Sequence, residues 1–168
     1  YQVAAICNGL DKARFESTLV YAVRPGSLHQ EYEALAKGAA HFVHVPEMVR
    51  EISPLSDVGA LLRLYRLFKE QKPDVVHAHS SKAGFLARLA AWAAGVKRVY
   101  YSPRGYSFLQ EDRPLHIRAF YRVLERLASL FGEVVAVSES EAALARRLGT
   151  GRVRVVRDAY LGDAKALG

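Results

Sequence analysis

At 168 residues the chain is the size of one domain, long enough to bury a core and short for two. With 51% hydrophobic and 24% charged residues it has an ordinary globular composition, and no run of eighteen apolar residues is available to span a bilayer. The net charge of +7 is uneven: residues 1–49 hold four Lys/Arg against five Asp/Glu, and residues 50–104 hold ten against four. Such a balance suits an anionic partner or a merely solubilising surface, and its dispersal argues against a nucleic-acid groove.

In chain order, residues 2–10 read as an opening helix, with the single cysteine, Cys7, as packing rather than half of a disulfide. Short β-branched or aromatic runs follow at 17–23, 41–45, 75–78, 98–102, 134–137 and 153–156, each bounded by Gly, Pro, Ser or Asp. Between them, Val58, Leu61, Leu62, Tyr65 and Phe68 make a helical stripe with Ser56 as its N-cap and a stop at Pro73. Residues 82–94 are apolar nearly all round and end at Gly95, as in a helix packed on a sheet. A further helix carries Ile117, Tyr121, Leu124 and Ala128, and another runs over 139–148.

Strands alternating with helices of this length imply right-handed crossovers and a mainly parallel sheet covered on both faces. The expected fold class is therefore α/β, a Rossmann-like three-layer sandwich forming one domain over 1–168. Doubly wound domains usually begin on a strand, whereas this chain begins on a helix, at Tyr1 rather than methionine. A first strand is expected upstream, or another segment in its place.

Ligands of open parallel sheets bind beyond the carboxyl ends of the strands. There the run ending at Ala78 delivers His79, Ser80, Ser81 and Lys82, the run ending at Ser102 delivers Arg104, Gly105 and Tyr106, and the run ending at Val137 delivers Ser138 and Glu139. In "HSSKAG" a serine can cap the next helix, whose first N–H groups and dipole favour an anion, with Lys82 adding charge; the plainer reading is a cap with a solvated lysine. His77 and His79 share one face of a strand, with His77 half-buried and His79 functional; no third ligand follows at metal-site spacing, so no metal is expected. Arg104 can clamp a phosphate or carboxylate against a wall of Tyr106 and Phe108, or the aromatics can belong to the core. Ser138 with its acidic first turn is explained by capping alone.

Several motifs are missing. No G-x-G-x-x-G supports a nicotinamide dehydrogenase, no G-x-x-x-x-G-K-[ST] a P-loop enzyme, and no G-x-S-x-G a hydrolase.

The run "KPDVVHAHSSKAGFLARLAAWAAGVKRVYYSPRGYSF", with "ERLA" at 125–128, "VVAVSESEA" at 135–143 and "VRVVRDA" at 153–159, resembles the N-terminal domain of retaining family 4 glycosyltransferases of the GT-B fold. The likeness runs from Tyr1 to about Ala159. It implies an acceptor-side domain, inactive alone, whose donor-binding C-terminal partner lies beyond this chain. The implied reaction moves a sugar from a nucleotide-sugar co-substrate, without a metal, to a glycan or lipid-diphosphate acceptor. The implied setting is bacterial surface polysaccharide or glycolipid synthesis, in the cytoplasm and in peripheral contact with the inner membrane face. The catalytic candidates it leaves are His79 and Arg104; the binding candidates are Ser80, Ser81, Lys82, Arg104, Gly105, Tyr106, Ser138 and Glu139. Two positions depart from the family pattern: Arg104 stands where many relatives carry histidine, and Asp158 where they usually carry asparagine. Two other readings compete: a stand-alone binding module for a phosphorylated or nucleotide ligand, and a related nucleotide-sugar epimerase.

Overall fold

The computed structural model describes residues 2–23, 26, 28–49 and 52–157. The elements alternate as expected: α1 (Gln2–Gly9), β1 (Thr18–Tyr21), α2 (His29–Leu35), β2 (His41–His44), α3 (Pro54–Gln71), β3 (Val75–His79), α4 (Ser81–Ala94), β4 (Arg98–Ser102), a 3-10 turn (Ser107–Leu109), α5 (Leu115–Ala128), β5 (Glu133–Ala136), α6 (Glu139–Arg147) and β6 (Val153–Val155). The one helix that sequence reasoning did not single out is α2. It is held by α1: the Asn8 amide donates to Leu35 O at 2.9 Å and accepts the Gly38 N–H at 2.7 Å. Cys7 is buried and reduced, as expected of packing.

All strand pairs are parallel, in a two-stranded sheet β1–β2 and a four-stranded sheet ordered β3–β4–β5–β6. Each β–α–β step of the larger sheet advances in the same direction. Right-handed crossovers then put every intervening helix on one face. Burial along the strands follows: Val76 and Ala78 of β3, Val99 and Tyr101 of β4, and Val134 and Ala136 of β5 are buried, whereas Val75 and His77 on the opposite face are exposed. The smaller sheet joins the same core, where Val20 and Val43 pack with Val45, Ala60, Leu64, Phe68 and Val76. Among the described residues nothing pairs β1 with β3, so the sheet divides on the side where a further strand was expected.

Two details of α3 correct the sequence reading. The helix starts one turn earlier than expected, with Ser53 in the N-cap position and Pro54 at the first helical residue, where proline's missing N–H costs nothing. The expected stripe is also rotated: Ala60, Leu64 and Phe68 are buried, while Val58 and Leu62 are exposed. The wall that α3 meets is α4, whose own small residues Ala90 and Ala91 favour the 60/64/68 face. Its C-terminus behaved as the proline predicted, with Lys72 left-handed just before Pro73.

Inside the helical face, α4, β4 and α5 are tied by one polar network. Arg88 is 1% exposed; its Nη2 donates to Glu125 Oε2 at 2.8 Å, its Nε to Gly84 O at 3.0 Å and its Nη1 to Ala128 O at 3.1 Å. The Tyr101 hydroxyl donates to the other Glu125 oxygen at 2.6 Å, and the Arg88 guanidinium lies 3.7 Å from the Tyr101 ring centre. Burial, followed by the Glu125 charge, pushes the Tyr101 phenol well above its ordinary value. The cluster therefore holds a charge pair with every surrounding oxygen satisfied, the condition under which a buried ion pair is tolerated.

Candidate functional site

The carboxyl ends of β3, β4 and β5 do form one rim. At the first of them the chain leaves β3 through Ser80, whose φ of +64° is left-handed for a residue other than glycine. Ser80 occupies the N-cap of α4, but its hydroxyl makes no capping bond, and its N–H donates across to Ser102 O at 3.3 Å. Ser81 is buried, and its Oγ accepts the Ser107 N–H at 3.1 Å. Of the two serines, Ser80 turns the chain without capping α4 and Ser81 clamps the loop after β4. Lys82, expected to add charge at the helix start or to point into water, pairs with Asp57 Oδ1 of α3 at 2.5 Å, with 14% of its side chain exposed. Its positive charge is thereby neutralised locally.

The second strand end supplies two consecutive left-handed residues, Arg104 at φ +51° and Gly105 at φ +88°. That kink aims the Gly105 N–H at Glu141 Oε1, 3.0 Å away, while Glu141 Oε2 accepts the Val137 N–H at 2.9 Å. Glu141 also donates its own N–H to Ser138 Oγ at 3.2 Å, which makes Ser138 a true N-cap of α6. Glu139, the acid singled out from the sequence, is instead exposed in the first turn, where it favours the helix dipole. The residue that fastens the β4 and β5 ends together is Glu141. Its signal was present in the S-x-x-E spacing of a capping box.

Between these ends stands the His79–Arg104 contact, with Arg104 Nε donating to His79 Nδ1 at 3.4 Å. Arginine has no acceptor, so His79 is neutral and carries its proton on Nε2. Burial, then His77, then Arg104 push the His79 pKa down to about 3. His77 lies alongside at 4.2 Å between ring centres, with Nε2 3.0 Å from Ser102 Oγ, and its pKa is lowered by burial and then by Arg104. His77 is hydrogen-bonded as expected, though as a whole residue it is the more exposed of the two, and His79 is half-buried. At neutral pH the described rim thus carries the Arg104 guanidinium beside a neutral His79 whose Nε2–H can donate a hydrogen bond. With Nδ1 occupied, His79 has no lone pair available for a general base.

This has a measurable pH signature. The folded-state pKa of His79 lies near 3, below the ordinary 6.5, so the unfolded chain binds the extra proton between those values. Its contribution to stability is fully present above about pH 6.5 and is lost as pH falls toward about 3. In urea titrations at a series of pH values, His79→Gln is expected to flatten that part of the stability curve. Identical slopes for the two proteins would refute the assignment.

Tyr106 corrects the expectation of an aromatic wall. It is 3% exposed, stacked on buried Phe108 at 5.0 Å, and its phenol is pushed far up by burial and by Glu125 and Glu141. Both rings belong to the core beneath the rim. Asp158 lies outside the described residues. An open cleft of about 470 Å³ sits at the other end of the sheet, among Lys69, Lys72, Lys97 and Arg98, and includes no rim residue.

With that geometry in place, residues 1–158 match the family described as the glycosyl transferase 4-like domain. The chain belongs to this family. It is 41% identical over 85 residues to the UDP-Gal:alpha-D-GlcNAc-diphosphoundecaprenol alpha-1,3-galactosyltransferase of Escherichia coli, covering 51% of this chain and 22% of that enzyme. It is 31% identical over 98 residues to the capsular polysaccharide biosynthesis glycosyltransferase CapM of Staphylococcus aureus, covering 58% of this chain and 25% of that protein. The matched stretches thus span about a quarter of each relative's length.

Proposed function

We propose that this domain is the acceptor-side half of a glycosyltransferase that moves a sugar from a nucleotide-sugar donor to a lipid-diphosphate or glycan acceptor in bacterial surface polysaccharide or glycolipid synthesis. The observation that carries the reading is the family match over residues 1–158. The activities of the two relatives, one acting on a diphosphoundecaprenol-linked sugar and one in capsular polysaccharide synthesis, support its direction over a stand-alone binding module. The rim supplies a matching chemistry. Cleavage of the bond between the sugar and its nucleoside diphosphate leaves the electron pair, and negative charge, on the departing diphosphate, and a preorganised cation with N–H donors in a partly desolvated site stabilises such charge. Arg104, held by a left-handed backbone and by contact with His79, is that cation; the neutral His79 Nε2–H is a second donor.

The enzyme acts at the inner face of the cytoplasmic membrane; among the described residues no helix is long and apolar enough to cross it. The reaction proceeds without a bound metal, and chelation by EDTA is expected to leave the rate unchanged.

The test is a release assay on the full-length protein with a panel of nucleotide sugars, with and without a crude bacterial membrane-lipid extract. Nucleoside diphosphate release that requires the extract is the expected result. Turnover of a nucleotide sugar without any acceptor would favour the epimerase, and no turnover of any donor would remove the transferase reading. In the same assay Arg104→Ala is expected to lower kcat/KM at least about tenfold, equivalent to about 1.4 kcal/mol of transition-state stabilisation. An unchanged kcat/KM would return Arg104 to a turn residue. Lys82→Ala, by contrast, strips Asp57 of its ion-pair partner and is expected to register in stability as well as in rate.

A further inference from the structure

We infer that the outer face of α5, continued by Trp92 of α4, is a docking surface for an anionic lipid bilayer. The inference rests on the lipid-linked acceptor reading and gives it a place on the molecule, away from the rim.

The inward face of α5 is accounted for: Tyr121, Glu125 and Ala128 are buried against α4 and β4. Its exposed side carries Arg122 and Arg126, and beside them a line of apolar residues. Phe120, Val123 and Leu127 recur at spacings of three and four residues along the solvent side, and Leu130 extends the line just past the helix end. Phe120 is 45% exposed, Leu127 53% and Leu130 77%. Trp92, 61% exposed, joins the same end of the stripe through Phe131, whose ring centre is 5.1 Å from its own. An exposed apolar line of this length marks an interaction surface rather than the scattered apolar residues of an ordinary exterior.

Charge identifies the partner. Along α5 itself, Leu115–Ala128, the chain has three arginines and a single acid, and that acid, Glu125, is buried on Arg88 and Tyr101; Glu111 and Asp112 lie before the helix and Glu133 after it. The cations border the stripe: Arg122 and Arg126 are exposed on its flank. Arg118 and Arg113 are anchored near the helix start, on Phe108 O at 2.9 Å and on Gln110 at 2.6 Å. A protein partner of ordinary composition would offer no reason to clear this face of acids. A bilayer with anionic headgroups does, because phenylalanine, leucine and tryptophan enter the headgroup–acyl boundary while arginines meet the phosphates. The aromatics of 101–108 do not serve this role, since Tyr101, Tyr106 and Phe108 are buried.

The experiment is co-flotation of the full-length protein with vesicles of phosphatidylcholine alone or doped with phosphatidylglycerol. Binding is expected to require phosphatidylglycerol, to weaken at least about tenfold in Phe120→Gln/Leu127→Gln, and to lose about fivefold per arginine in Arg122→Gln/Arg126→Gln. Thermal unfolding of the first double variant without vesicles is expected to match the parent, because both side chains are exposed. A marked fall in Tm would show that the face is already covered within the protein and would overturn the inference. So would vesicle binding unchanged in that variant, an absence of binding, or an oligomer that the variant dissolves. Transfer to a short-chain, water-soluble diphosphate acceptor separates this inference from the reading beneath it. If the variant keeps that activity but loses vesicles, both stand; if the parent binds vesicles as expected yet transfers to no acceptor, the transferase reading fails and the docking surface remains.

Discussion

Arg88→Ala is expected to lower the stability of the domain by about 3–5 kcal/mol. The substitution removes four interactions at once: the 2.8 Å bond to Glu125, the bonds to Gly84 O and Ala128 O, and the stacking on Tyr101. More costly than their sum is what remains, a Glu125 carboxylate 4% exposed with no cation beside it. Paired buried ions contribute little net stability, but an orphaned one must be desolvated without compensation. The mechanism has its own control. Replacing the whole group with Arg88→Met, Glu125→Leu and Tyr101→Phe is expected to recover much of the loss, since no charge is then left behind. Equilibrium urea unfolding measures both. If the single variant lost less than about 1 kcal/mol, water would have to reach the pair, contrary to its burial.

Gly84→Ala is the second. A β-carbon at position 84 would fall inside the contact distance of Tyr101 Cε2, and the ring has nowhere to go. Its hydroxyl is fixed on Glu125 at 2.6 Å and its face is covered by Arg88 at 3.7 Å. Helix α4 must therefore lift from the sheet, and overpacking of this kind costs about 1–3 kcal/mol. The displacement also moves the start of α4, where Ser81 holds the Ser107 N–H, so a fall in kcat/KM is expected beside the fall in Tm. Gly151→Ala is the matched control: no atom lies within 4 Å of its added carbon, and a change within about ±0.5 kcal/mol is expected. Equal Tm values for the two variants would mean that α4 and β4 are less closely packed than the contact distances require.

The two effects share an origin that bears on the site. Arg88, Glu125 and Tyr101 set the distance between α4 and β4; Ser80 and Ser81 stand at the start of α4, Arg104 follows β4, and His79 ends the neighbouring strand β3. A rigid polar anchor beneath the rim keeps the cation and the neutral histidine at a fixed separation, which electrostatic preorganisation demands. The acidic partners Asp57 and Glu141 serve the same end, one holding Lys82 to α3 and the other holding the β4 turn to α6.

What the sequence determined by itself is the local and periodic part. Strand β4 was legible at 98–102 and every other strand to within two residues at either end, because β-branched runs between Gly, Pro and Ser have few other ways to fold. Parallel pairing and the rim at the carboxyl ends followed from alternation alone, and the family from the order of motifs. What it did not determine depends on residues far apart in the chain. Arg88 read as one charge in an apolar helix, since its partner Glu125 is 37 positions away. Lys82 read as an anion ligand because Asp57 reaches it only after α3 has packed on α4. Whether Tyr106 pointed outward or inward, and that the face of β3 carrying His77 and His79 is the one turned away from the helices, depended on which face of the sheet the helices occupy. Periodicity says that a strand has two faces; only the common direction of its crossovers decides which one is buried.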